Sequence, residues 1–222
     1  MVLAFVVSAL GAPAGAVGSD LAEKAQQQLH HLGCQAGPVD GDLDRRSRAG
    51  IVRFQAANDL AQSGKLTERT RKRLFAETQV ACDDRPVIRS GKGRRVVISQ
   101  RQNYVWLVRA NGNVVAQGGM IDNTSVLGKG NYRVGSQCGR AAKIRRNSDA
   151  GGSLWLPYFT RFAPCGVGFH RIPLYKSTGR QIHPDWMLGT NLRESHGCIR
   201  LSRPLAARLW DFGTVGTRVV VR

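Results

Sequence analysis

Ser195-His196-Gly197-Cys198-Ile199-Arg200 sets a thiol, an imidazole, a flexible backbone position and a guanidinium within one hexapeptide. The thiolate, not the thiol, attacks carbonyl carbon well, so a reactive cysteine needs a basic or cationic neighbour and partial exposure. His196 and Arg200 supply positive charge. Gly197 permits backbone dihedrals closed to other residues, which would aim the amides of Gly197 and Cys198 at one point, as stabilisation of an oxyanion requires. Cys198 is therefore read as a catalytic nucleophile. A buried structural cysteine beside a satisfied histidine is the plainer alternative.

The cysteine count bears on that choice. There are five, and an odd number in an exported chain leaves one thiol unpaired; Cys198 has the reactive surroundings. Cys34, Cys82, Cys138 and Cys165 remain for two disulfides. Of the three possible pairings, those within each half of the chain are Cys34 with Cys82 and Cys138 with Cys165. Their spacings match no tight Cys-x-x-Cys zinc pattern and no nucleotide motif occurs, so neither metal nor cofactor is expected. Export is read from Val2-Leu3-Ala4-Phe5-Val6-Val7-Ser8-Ala9-Leu10, an apolar run followed by the small-x-small patterns Ala12-Pro13-Ala14 and Ala14-Gly15-Ala16. Residues 1–18 thus read as a secretory signal peptide, and a membrane is a partner only if this segment stays uncleaved. With 33 Lys and Arg against 15 Asp and Glu, the formal charge is +18, so attraction to a polyanion follows. For a secreted chain the polyanions are cell-wall polymers rather than nucleic acid.

The elements that must position these residues fall into two sets. A chain of 222 residues with 42% hydrophobic content suits one large domain or two small ones. Residues 19–84 read as three helices. Asp20 caps the first, which carries Leu21, Ala25, Leu29 and Leu32 on one stripe and stops at Gly33. The second runs from about Arg46 to Leu60 with Ile51, Phe54 and Ala57 inward; Thr67 caps the third, which carries Leu74 and Phe75. The stretch Gly37-Pro38-Val39-Asp40-Gly41 is a turn. Residues 85–93 form a basic linker. Residues 94–222 change to strand periodicity at 96–98, 104–108, 114–116, 128–134, 155–162 and 217–221, with Asn111-Gly112 as a hairpin turn. One helix, capped by Ser202 and ended by Gly213, buries Leu205, Ala206, Leu209 and Trp210. The fold class is α+β multidomain, a three-helix domain followed by a β-rich sandwich or barrel-like domain with one short helix.

Two resemblances then emerge. Leu29-x-x-Leu32-Gly33, the Gly37-to-Gly41 turn, Phe54-Gln55, Asn58-x-Leu60 and Gly64-Lys65-Leu66 resemble the three-helix peptidoglycan-binding domain of bacterial wall enzymes. Asp44 and Asp59 stand where its members usually carry glycine. Gly128-x-Gly130-x-Tyr132-x-Val134, Gly168-Phe169-His170-x-Ile172-Pro173, Leu188-Gly189-Thr190, Ser195-to-Arg200 and Leu209-Trp210-Asp211-Phe212 together resemble the L,D-transpeptidase catalytic domain, over essentially all of 94–222.

The second resemblance implies acyl transfer on peptidoglycan stem peptides in the periplasm or cell wall of a bacterium. Cys198 would attack the carbonyl at the L-centre of the position-three diamino acid of a tetrapeptide, expel D-alanine and pass the acyl group from a thioester to a neighbouring amine, giving a three-to-three cross-link. It further implies His170 as general base, oriented by the backbone carbonyl of Arg171; such a cysteine–histidine pair can rest as thiolate and imidazolium. His196 and Gly197 would shape the oxyanion pocket, with Ser195 bonding locally and Arg200 meeting either a substrate carboxylate or a structural acid. The 24 residues between His170 and Ser195 are a longer, lid-like insertion than most relatives have. Within it Tyr175 and Trp186 either cover the acyl site or only pack the loop. His183 competes with His170 as base, though a loop position before Pro184 suggests mobility. The alternatives are an L,D-carboxypeptidase that uses water as acceptor, a zinc peptidase using His170, His183, His196 and Cys198, and a wall-binding protein whose catalytic fold has decayed.

Overall fold

The computed structural model describes residues 14–222, with side chains from residue 18 onward except that of Cys165. The expected signal segment therefore lies almost entirely outside the described residues. Helix α1 spans Ala14–His31, α2 Arg45–Ala57 and α3 Glu68–Leu74. Asp20 is inside α1 rather than at its cap, and it pairs with Lys24 one turn later at 2.8 Å. Asp44 caps α2, accepting from the N–H groups of Arg46 and Ser47, and Thr67 caps α3 through the N–H of Thr70. Asp59, by contrast, takes the left-handed conformation (φ 57°) that glycine adopts most easily. Ala25, Leu29, Ile51, Phe54 and Leu74 make the core of this bundle, closed by the Cys34–Cys82 disulfide. Phe75, expected inside, is exposed because α3 ends one residue before it.

The rest of the chain builds two sheets. The first has the order β3-β2-β1-β10-β4, from β1 (Arg95–Ser99), β2 (Tyr104–Val108), β3 (Val114–Gly119), β4 (Gly130–Arg133) and β10 (Arg218–Val221). β1 and β10 run parallel, with Val96 opposite Val219. Both faces of β1 and β2 are buried, which explains their unbroken apolar sequence. Val96, Ile98, Val105 and Leu107 enter the main core; Val97, Tyr104, Trp106 and Val108 form a second cluster on the far side, covered by Val87 and Ile88. The basic stretch before β1 is accordingly packed down. The Trp106 indole N–H donates to the Arg85 carbonyl at 2.8 Å.

The second sheet has the order β5-β6-β7-β9, from β5 (Lys143–Ser148), β6 (Leu154–Arg161), β7 (Gly168–Arg171) and β9 (Ile199–Leu201), with the two-residue β8 (Leu174–Tyr175) paired to β6. Helix α4 (Arg203–Phe212), capped by Ser202, buries Leu205, Ala206, Leu209 and Phe212. Trp210 is half-buried instead, its ring carrying the Lys143 ammonium at 4.6 Å, because it faces β5 rather than the core. β5 was not expected. Its lysine and arginines leave no apolar alternation to read, and they lie instead over Tyr158, Trp155 and Trp210.

Candidate active site

β7 and β9 pair in parallel, placing Phe169 opposite Ile199 and His170 opposite Arg200. Successive side chains of a strand alternate faces, so Phe169, Ile199 and Leu201 enter the core. His170, Arg200 and, one step before β9, Cys198 share the other face. That face floors a cavity of about 430 Å³, which Ser195 and His196 also line.

His170 is 2% exposed, and its ring stacks on Phe159 at 6.2 Å between centroids. Its Nδ1 lies 2.5 Å from the Arg171 carbonyl oxygen. A carbonyl can only accept, so Nδ1 carries the hydrogen and the Nε2 lone pair is left free to take a proton. Burial, aided by the charge of Arg200 and resisted by the Arg171 bond, pushes the imidazole down to about 4. Cys198 is the one free cysteine among the described residues, and its Sγ donates to the Gly166 carbonyl at 3.4 Å. Burial raises its thiol above the ordinary range, opposed by the Gly168 N–H and by the charges of Arg161 and Arg200. Both shifts favour the neutral forms. Burial thus weighs toward thiol and imidazole and against the ion pair that a cysteine beside a histidine can adopt.

The loop before Cys198 is held by the segment at 122–126. The Ser195 N–H donates to the Asp122 carbonyl and the Asn123 amide to the Ser195 carbonyl, both at 2.9 Å. Gly197 adopts φ +122°, and a Cβ there would lie 2.6 Å from Val126 Cγ1; only glycine satisfies both demands. Its N–H donates to Ser195 Oγ at 2.9 Å, so it fixes the turn and is not free to face a substrate oxygen. His196 is exposed at the cavity wall.

Other expected residues lie elsewhere. Trp186 and Tyr175 are not among the lining of this cavity. Trp186 packs with Ile121, Ile172, Met187 and Leu188, its ring approached by Arg45 of α2 at 6.0 Å, while Tyr175 is exposed on β8. Residues 171–194 are therefore packed partly against the helical domain rather than laid over the thiol. His183 is 4% exposed, with Nδ1 3.1 Å from the Pro184 carbonyl, so it is buried and does not line the cavity, and the four-residue zinc set is not assembled. Among the described residues no group of three or more His, Cys, Asp or Glu is placed to hold a metal ion. The cavity is roofed instead by the β5–β6 hairpin, whose turn contributes Asp149, Ala150 and Gly151, and Arg161 of β6 reaches in beside Cys198. An arginine amid Tyr158-Phe159-Thr160-Arg161-Phe162 was the available signal for that residue.

Cys34 and Cys82 are bonded as expected. Cys138 is also in a disulfide, and the side chain of Cys165, the partner expected for it, is outside the described residues.

Comparisons with known proteins bear on the whole assembly. Residues 18–74 match the family described as a peptidoglycan binding domain, and residues 93–221 match the family described as the L,D-transpeptidase catalytic domain. No curated protein matches significantly. Among solved structures, an L,D-transpeptidase (residues 123–326) from Xylanimonas cellulosilytica is 22% identical with a TM-score of 0.52, covering 90% of this chain and 92% of that one. An L,D-transpeptidase from Stackebrandtia nassauensis is 18% identical with a TM-score of 0.48, covering 91% of each chain. At such identity the first of these bears on the fold alone, a helical region followed by two sheets and one short helix. The catalytic-domain match spans more than half of the sequence, and on that ground the chain belongs to the L,D-transpeptidase catalytic domain family, with a peptidoglycan-binding segment ahead of the catalytic domain.

Proposed function

We propose that the chain is an exported L,D-transpeptidase that joins peptidoglycan stems through a thioester on Cys198. The observation that carries this reading is the shared face of β7 and β9, where Cys198, His170 and Arg200 open onto one cavity inside the matched domain. Sγ bonds to the carbonyl carbon of residue three of a tetrapeptide donor, and the thiol proton passes to Nε2 of His170. The carbon–nitrogen bond to D-alanine breaks, and the same proton leaves with that amine. An amine of a second stem then attacks the thioester, the carbon–sulfur bond breaks, and Cys198 recovers its proton by way of His170. A base held near pKa 4 accepts a proton weakly but returns it readily, which suits the expulsion of a poor amine leaving group.

Arg171 contributes its carbonyl by fixing the imidazole tautomer. His196 takes the developing oxyanion in this reading, with Ser195 and Gly197 shaping the turn beside it. The match at 18–74 supports the wall polymer as the partner of the helical domain, and the +18 charge supports retention on anionic wall polymers.

Purified disaccharide-tetrapeptide incubated with the protein, followed by mass spectrometry, tests the reaction. Released D-alanine with three-to-three dimers is the expected result. Tripeptide without dimers would make the chain an L,D-carboxypeptidase, and unchanged substrate would overturn catalysis altogether. A carbapenem should add covalently at Cys198 in the same preparation.

A further inference from the structure

Arg161 has no part in the steps above, yet it is built into the same cavity. It is 1% exposed on β6, its Nε donates to the Ala141 carbonyl at 3.2 Å, and its guanidinium lies 4.9 Å from the Phe159 ring centroid. Its Nη1 is buried with no hydrogen-bond partner. A buried cation with an idle donor is costly unless something arrives to meet it. Among the described residues no carboxylate forms an ion pair with it. The one acid of the cavity wall, Asp149, has its Oδ1 committed to the Leu154 N–H at 2.7 Å.

The sheet register says where such a visitor would sit. Arg161 pairs with Gly168, and Gly168 precedes the pair Phe169–Ile199, so the row across the sheet reads Arg161, Gly168, Cys198. Strands lie ~4.8 Å apart, which puts Arg161 and Cys198 two spacings, about 10 Å, from each other at Cα. The middle position admits no side chain, since a Cβ on Gly168 would lie 2.7 Å from the Thr160 carbonyl oxygen and 2.9 Å from the Phe159 ring. The Phe159 ring fills the place a side chain at 168 would take, and Arg161, Phe159 and Cys198 line one cavity. Arg200 lines the same cavity.

We infer that Arg161, backed by Arg200, binds a free carboxylate of the donor peptide and so determines which stems Cys198 can attack. A planar guanidinium suits a carboxylate, and a charge-assisted bond formed away from water is strong. Two carboxylates of a tetrapeptide donor share this chemistry: that of the departing terminal residue and that on the side chain of the diamino acid. The inference rests on the acyl-transfer reading, so its test has an arm that does not.

That arm compares alkylation of Cys198 in the full-length protein by iodoacetate, which carries a carboxylate, with alkylation by neutral iodoacetamide. The iodoacetate-to-iodoacetamide rate ratio should fall at least ~10-fold in Arg161→Gln, and less in Arg161→Lys, which keeps the charge and loses the fork. The second arm measures kcat/KM for the tetrapeptide donor and for donors amidated at one carboxylate or the other. Arg161→Gln should cost the free donor ~10- to 100-fold. One amidated donor should be poor with wild type and indifferent to the variant, which identifies the carboxylate. An unchanged alkylation ratio, or an equal loss on all three donors, overturns the inference. If no donor turns over while the alkylation ratio still falls, acyl transfer fails and the carboxylate site stands. Melting curves confirm the fold of each variant, and Arg161→Lys carries the test if Arg161→Gln does not fold.

Discussion

Arginine is buried without a carboxylate in two regions of this molecule, the junction between helical and β-rich parts and the cavity around Cys198. At the junction Arg53 of α2 directs its Nε and both terminal nitrogens at the carbonyls of Cys34, Gln35, Trp186 and Leu188. Arg85 bonds the carbonyls of Cys82, Gln102 and Arg53 and lies 4.2 Å from the Tyr104 ring. Burial pushes both guanidinium groups down to about 10, which leaves them charged at neutral pH. In the cavity, Arg161 keeps one protein bond and an idle nitrogen. The same residue type serves as a rivet where its donors are spent on backbone and as a receptor where they are not. Satisfaction, more than burial, separates structure from function here.

The largest effects should fall on the cavity side. Cys198→Ala is expected to abolish both D-alanine release and cross-linking while sacculus binding by the full chain persists; residual turnover near wild type would break the comparison at its root. Next, His170→Gln should slow acylation at least ~100-fold, a typical general-base contribution, whereas His183→Gln should change it less than tenfold. Stopped-flow acylation of both between pH 4 and 9 distinguishes them, and a larger loss in His183→Gln would reassign the base.

On the junction side the currency of failure is stability. Arg53→Met leaves four carbonyls without their donor and should cost about 2–4 kcal/mol by urea denaturation, with kcat per folded molecule within about threefold of wild type. A large loss of kcat at unchanged stability would mean the junction reaches the chemistry. The smallest effect concerns acid. His170 is depressed in the fold relative to the unfolded chain, so its contribution is complete above about pH 6.5 and is lost as pH falls toward about 4. Roughly 3 kcal/mol at most is involved, at 1.36 kcal/mol per pKa unit. The slope of stability against pH across that window should flatten in His170→Gln, and an unchanged slope would locate the acid sensitivity elsewhere.

How much of this was legible in the sequence depended on whether a residue's neighbours are local. The hexapeptide at Cys198, the caps at Thr67 and Ser202, the Asn111-Gly112 hairpin and the β-branched strands declare themselves within a few positions. β5 did not, because Lys143-Ile144-Arg145-Arg146-Asn147-Ser148 earns its place through cation–aromatic contacts with another strand and a helix. Trp186 was ambiguous for a related reason: nothing nearby in sequence says that Arg45 and Arg53 wait for it across the junction. The shift of the thiol and the imidazole toward their neutral forms comes from burial, and local motifs carry no measure of burial. Gly168 is the sharpest case. Its place between Arg161 and Cys198, under the Phe159 ring, exists only once three strands are in register.

The position of β10 inside its sheet has a consequence for how the molecule comes into being. It lies between β1 and β4 and pairs with β1 about 120 residues earlier in the chain. A growing polypeptide can close the β1–β2–β3 hairpins as they emerge, but the edge of β1 then waits unpaired, with Val96 and Ile98 lacking Val219 and Val221. Such long-range parallel closure is slow and leaves a sticky strand exposed in the meantime. A chain interrupted between Arg200 and Arg218 would hold every residue of the cavity and still lack the strand that joins β1 to β4, so residues 218–221 decide whether the earlier ones can assemble.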